Sequence, residues 1–155
     1  MRDRNPEDLP IYQKATEIFE LVNALTALIP DDNKMLVHSR DFMLADAGTI
    51  KAKIAGAEGG DLYSIRMENA TLIRKAAREL VTQLQGLRMY GFDAPEYFQL
   101  LRDEMEEFRV LFVEWVESFD PWNYILDRWG LFNPPGKSAN DEDWDENTGR
   151  GFENI

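Results

Sequence analysis

Hydrophobic residues recur every three or four positions along most of this chain. In the first stretch Ile11, Ala15, Ile18, Val22, Leu25 and Ile29 follow one another at spacings of 4, 3, 4, 3 and 4. A second stretch repeats the pattern with Leu36, Met43, Ala47, Ile50, Ile54 and Ala57. A third carries Leu80, Leu84 and Leu87, and a fourth Phe98, Leu101, Met105, Phe108, Phe112, Trp115 and Phe119. This period keeps one face of an α-helix apolar. Four amphipathic helices with short connections predict antiparallel neighbours, so the fold class is all-α: an up-down-up-down four-helix bundle over residues 8–119. No alternating strand pattern competes with it.

The ends of the helices are marked by their usual residues. Pro30 breaks the chain after the first helix, and Asp31 or Asp32 is expected to cap the second. "GAEGG" ends the second helix as an interhelix turn; it lacks the Gly-Lys-Ser/Thr ending and preceding strand of a phosphate loop. Asp61 is the expected N-cap of the third helix and Gly91 its stop. Asp93 with Glu96 resembles a capping box for the fourth, with Pro95 in its first turn.

On the third helix, taking Leu80 as the centre of the core face, Glu79, Gln83, Gly86 and Tyr90 form an adjoining ridge. That ridge predicts a second seam, where Gly86 permits close approach and Gln83 bonds across a helix pair. Asn69 is expected to be the central polar group of the core, fixing register at some cost in stability.

The pattern changes at Pro121. "PWNYILDRWGLFNPPG" concentrates Trp122, Tyr124, Ile125, Leu126, Trp129, Leu131 and Phe132, and residues 120–136 read as a short helix or turn docked on the bundle. Residues 137–155 read as an acidic, mobile tail.

Composition adds exclusions. The chain has 155 residues, no cysteine and one histidine, and its net charge is −12. Disulfides, thiol catalysis and cysteine metal sites are ruled out. His38 alone cannot supply the two Glu-x-x-His motifs of a di-iron bundle. Asp141, Asp143 and Asp145 have the spacing that opens a calcium loop, but Glu146 and Phe152 stand where glycine and glutamate are needed. Asp103, Glu104, Glu106 and Glu107 spread around the outer face of the fourth helix, beside Arg102 and Arg109, as a solvated or charged-interface surface. No catalytic constellation, metal site or cofactor site is expected. No membrane span or export signal is visible, which points to the cytoplasm.

The overall acidity disfavours nucleic acid and anionic lipid. Charge is nonetheless uneven: residues 34–92 are net basic between acidic flanks. Lys51, Lys53, Arg74, Lys75 and Arg78 are therefore candidate phosphate contacts, with pairing to acidic helices as the alternative use. The apolar residues exceed what one stripe per helix requires. Tyr12, Phe19 and Leu21 form a second line on the first helix, and Leu100, Val110, Leu111 and Val113 another on the fourth. With Asn69, Gln83, Gly86, Tyr90, Trp122 and Trp129 they make the candidate packing and subunit-interface set.

Short motifs add a family resemblance. "DLPIYQKA" (Asp8 to Ala15), "IKAKIA" (Ile50 to Ala55), "ELVTQL" (Glu79 to Leu84) and "YGF" (Tyr90 to Phe92) occur in the order and spacing of a known family. The chain resembles the small four-helix-bundle proteins found in intervening sequences of bacterial 23S ribosomal RNA genes, relatives of the accessory protein of diversity-generating retroelements. Lys51 and Lys53 stand where that family has proline and asparagine, and Glu58-Gly59 is displaced by two residues. The resemblance implies a homo-oligomer, often a pentameric ring. It also implies, from the retroelement relatives, association with nucleic acid and a reverse transcriptase. The expectation is a non-enzymatic, self-assembling bundle that contacts a protein partner. The alternative is a nucleic-acid accessory factor.

Overall fold

The computed structural model describes residues 5–141, with the backbone of 144–145 and 150–151. A 3-10 turn, Pro6–Asp8, leads into four helices: α1 (Pro10–Thr26), α2 (Lys34–Glu58), α3 (Tyr63–Met89) and α4 (Pro95–Glu117). Each helix packs on its neighbours in the cycle α1–α2–α3–α4–α1, and no diagonal pair touches closely among the described residues. That is the expected up-down-up-down bundle. Its core is built on the apolar stripes read from the sequence: Ile18, Val22, Leu25, Met43, Ile50, Ile54, Leu80, Leu84, Leu87 and Leu101 are completely enclosed, and Ile73 of α3, outside those stripes, joins them. Beyond α4, residues 118–141 form turns without a helix, and Trp144–Asp145 pairs antiparallel with Arg150–Gly151. The calcium-type spacing runs from Asp141 into residues outside the described set, as does most of the acidic tail.

Several helix ends differ from expectation. The cap of α2 is Asn33, whose side-chain Oδ1 accepts from the Met35 and Leu36 amides at 3.0 and 3.3 Å. Its amide nitrogen also donates to the Tyr90 carbonyl at the end of α3 (3.3 Å). An aspartate at this position would lack that donor. Asp31 instead pairs with Arg40 at 2.7 Å.

The N-cap of α3 is Leu62, not Asp61, and its side chain makes no capping bond. The cap arrives from far along the chain: the Tyr63 amide donates to the Asn123 carbonyl (2.9 Å), and the Asn123 side chain donates to the Asp61 carbonyl (3.0 Å). The N-cap of α4 is Ala94, because Pro95 takes the first helical position. Asp93 then precedes the cap, and Glu96 is the second helical residue, one short of the capping-box position. Gly91 does stop α3, at a φ of +91°. The Phe92 amide reaches the Leu87 carbonyl and the Gly91 amide the Arg88 carbonyl, the paired bonds of a Schellman motif.

The central polar group is not Asn69. Asn69 is half-buried, and its amide donates to its own helix at Ile65 (2.9 Å). The enclosed polar residue of α3 is Arg66, two heptads before Leu80. The core stripe of α3 follows a repeat of about 3.5 residues per turn rather than 3.6, so a straight 100° wheel drifts by about 20° per heptad. Over the distance from Leu80 that drift moves Asn69 off the centre and brings Arg66 onto it.

Arg66 Nη2 meets Glu58 Oε1 at 2.6 Å, and both side chains are only 2% exposed. Trp115 Nε1 donates to the same oxygen at 2.8 Å. The guanidinium lies 4.0 Å from the centroid of Phe119, which packs edge-on against Trp115. One cluster thus joins the end of α2, the start of α3 and the end of α4. Replacing Arg66 with Met removes the cation facing a buried carboxylate. The expected loss is about 3–5 kcal/mol in urea unfolding, part of it recovered by adding Glu58→Gln.

Asp46 and Glu79 face each other across the α2–α3 pair. Burial, and then the Glu79 charge, raise the Asp46 carboxyl to about 6, while Lys75 opposes the shift. A carboxyl raised on folding is ionised at a cost. Stability is therefore expected to fall as pH rises from about 4 to about 6. Asp46→Asn should stabilise the fold at pH 7 by about 1 kcal/mol, allowing for solvent screening of a half-buried group. The difference from the parent should vanish at pH 4 in matched denaturation curves.

Candidate functional site

The four seams of the bundle are not equally filled. α3 lies close along α2, but α3 and α4 meet over a shorter and looser contact. Small side chains on α3, Ala77 and Val81, face Met105, Phe108, Phe112 and Val113 on α4. The space between them is an open apolar groove of about 660 Å3. Phe112, on the expected core stripe, is only half-buried because it forms part of this floor.

Arginines rim the groove. Arg74 and Arg109 lie about four helical turns from the α3–α4 connection, Arg78 and Glu106 about three, and Thr82 and Arg102 about two. Arg109 grips the Glu106 carboxylate through both Nε and Nη2, at 2.9 and 2.6 Å. This pairing lowers the Glu106 carboxyl below its ordinary value. Among the described residues, Arg74, Arg78 and Arg102 form no ion pair. The Thr82 hydroxyl is already used, donating to the Arg78 carbonyl. The groove therefore offers apolar contact area and planar cations.

The candidate phosphate contacts do not all share this surface. Lys51 lies over the rings of Phe19 and Tyr12, 4.9 and 5.6 Å from their centroids, on the α1–α2 side. Lys53 is half-buried on α2, one heptad from Asp46. Lys75 pairs with Glu79 at 2.7 Å. Arg74, Lys75 and Arg78 line one depression on α3, and of the five only Arg74 and Arg78 reach the groove, where they meet Arg102 and Arg109 from α4. In the sequence those two stand out only as neighbours of acidic groups. The acidic face of α4 is partly occupied within the chain: Lys14 of α1 bridges Glu104 and Glu107 at 2.9 and 2.6 Å and also meets Glu17. These carboxylates raise the Lys14 ammonium above its ordinary value.

The interface set also divides. Tyr12, Phe19 and Leu21 pack on the bundle's own core rather than forming an open second line. Leu111 does the same, whereas Leu100, Val110 and Val113 remain exposed. Gln83 and Gly86 are half-buried on the α2 side of α3, with Tyr90 exposed at its end. Among the described residues, Gln83 makes no hydrogen bond across to α2. The close approach of α2 and α3 is at Gly56, where an added Cβ would meet Asn69 Oδ1 at 3.3 Å. At Gly86 it would meet Gln83 and Ser39 at ordinary distances of 3.7 and 4.0 Å. His38 is exposed on α2, in a shallow depression with Phe42 and Met89.

Trp122 and Trp129 are exposed, Trp129 to 90%. The loop that carries Trp129 is nonetheless tightly bonded. The Asp127 carboxylate accepts from the amides of Trp129, Leu131 and Phe132 at 2.9–3.0 Å, and these bonds hold its carboxyl below the ordinary value. Asn133 bonds both backbone groups of Asp127. Leu126 is buried, and Ile125 and Phe132 line a depression against Leu62 and Ile65 of α3.

No group of three metal-ligating side chains occurs among the described residues. No described helix is long and apolar enough to cross a membrane. Gly86→Ala is expected to raise stability by about 0.5–1 kcal/mol, measured as a higher urea midpoint, since helix propensity improves and nothing blocks the methyl.

No family model and no curated protein matches the chain. Among solved structures, it is similar to a protein of unknown function from the S23 ribosomal protein family of Bacteroides thetaiotaomicron. The TM-score is 0.59 at 17% identity, over 70% of this chain and 96% of that one. The likeness is one of fold: the four-helix bundle built here from its stripes is one that a protein of the S23 ribosomal protein family also adopts.

Proposed function

We propose that this chain is a non-enzymatic bundle that works by assembling with itself and by contacting a protein partner. It is further read as a divergent member of the ribosomal RNA intervening-sequence family. The observation that carries the functional reading is the open α3–α4 groove with its apolar floor and arginine rim. A groove of that kind matches an interface core: apolar contact area flanked by arginine, a residue type that interfaces favour. The exposed Leu100, Val110, Trp122, Trp129 and Leu131 add apolar surface beyond the groove. The pentameric ring implied by the sequence resemblance is one form such an assembly would take.

The second reading is an accessory factor that binds nucleic acid. Its support is the meeting of Arg74, Arg78 and Arg102 on one surface. Against it, phosphate contacts do not require an apolar floor, Lys51 lies over its own α1 rings, and the net charge is −12.

Light scattering coupled to size exclusion tests the first reading. The expected result at micromolar concentration is a mass that is a multiple of the 18.0 kDa chain, unchanged by nuclease treatment. A single-chain mass across that range would remove it.

A further inference from the structure

Two features of this molecule match each other but do not meet within one chain. The first is the α3–α4 groove, with Ala77, Val81, Phe108 and Phe112 forming its floor. The second is the turn that presents Trp129 and Leu131, which are 90% and 74% exposed.

The exposure of these side chains does not come from a slack loop. The Asp127 carboxylate binds three amides of the turn, those of Trp129, Leu131 and Phe132, and Asn133 binds Asp127. Gly130 takes a left-handed φ of +75°, which lets the chain reverse between the two apolar residues. Leu126 and Phe132 anchor the base on α3. Backbone order of this kind holds an indole in water at a standing hydrophobic cost. A rigid turn with a solvated tryptophan at its tip is built like an interface anchor, because little conformational entropy is left to lose on docking.

The geometry points to the Trp129–Leu131 turn of one chain seating in the α3–α4 groove of a second copy. This rests on the self-assembly reading and names its contact. Three observations support the match. The groove, at about 660 Å3, has room for an indole and a leucine side chain together. Its floor is aliphatic and aromatic, and an indole buried there removes about 200 Å2 from water. Its rim carries Arg74, Arg78 and Arg102, and the guanidinium group stacks best on tryptophan among the aromatic rings. The turn also stands beside Glu68 of α3, which offers those arginines a carboxylate.

The contact is heterologous: the surface given differs from the surface received. Each copy gives one turn and receives another, so repetition closes a ring or extends a filament according to the rotation between copies. The docked element belongs to residues 120–136, outside the stretch that carries the sequence resemblance.

Mixing of complementary variants tests this by mass. A turn variant, Trp129→Ala with Leu131→Ser, keeps its groove. A groove variant, Val81→Glu, keeps its turn; Arg78→Glu, at an exposed position, is a second groove variant should the first unfold by circular dichroism. Each alone is expected to weaken self-association by at least about tenfold and to run as a monomer. Mixed in equal amounts, the turn variant and a folded groove variant are expected to form a heterodimer and nothing larger, since only one turn and one groove remain between them. Mixed variants that stay monomeric would overturn the assignment. So would a turn variant that assembles like the parent; in that case the chain self-assembles through another surface and only this contact is wrong. A monomeric parent would remove the contact and the self-assembly reading together.

Discussion

The buried pair between Arg66 and Glu58 constrains more of this structure than any other interaction. Both side chains are 2% exposed, so each charge depends on the other and on the groups around them. A pair of this kind adds little net stability over an apolar substitute, but breaking it is expensive. Its effect is therefore on specification. Trp115 donates to Glu58, and the Arg66 guanidinium faces Phe119, so three helix ends must arrive in one place. Arg66 facing the core also fixes how α3 is rotated. With that rotation set, Leu80, Leu84 and Leu87 point inward and Ala77 and Val81 turn toward α4.

The groove follows from that rotation. α3 presents small residues where α4 presents Met105, Phe108 and Phe112, and the aromatic rings alone do not close the seam. On the other side of α3, Gly56 lets Asn69 in, and α2 and α3 draw together. The bundle is thus tight at α2–α3 and open at α3–α4. Arg74, Arg78, Arg102 and Arg109 edge the open seam because they sit one step around each helix from the core stripe, where long side chains extend along apolar surface and keep their charge in water.

Charge along the chain is redistributed by folding. The acidic α4 is met by Lys14 from an acidic first segment. The basic middle of the chain is split, with Lys51 over α1 rings, Lys75 on Glu79, and Arg66 enclosed. The arginines left at the groove are a residue of this pairing. In a chain of net charge −12 they form a local cationic rim.

The hydrophobic spacing by itself determined the four helices, their antiparallel order and nearly the whole core, because a 3-4 repeat leaves few ways to bury one face. It also marked Gly91 as a stop, since only a residue tolerant of positive φ ends a helix in that way. Tertiary structure alone decided the rest. The cap of α3 comes from Asn123, and no local pattern predicts a bond between residues so distant in sequence. Arg66 replaced Asn69 at the centre because the small drift between 3.5 and 3.6 residues per turn accumulates along a long helix. Arg66 was legible as a stripe position, two heptads from Leu80, but its partner Glu58 lies on another helix. The groove was least legible of all: Ala77, Val81, Phe112 and four arginines are ordinary on their own helices, and a gap exists only between two surfaces brought face to face.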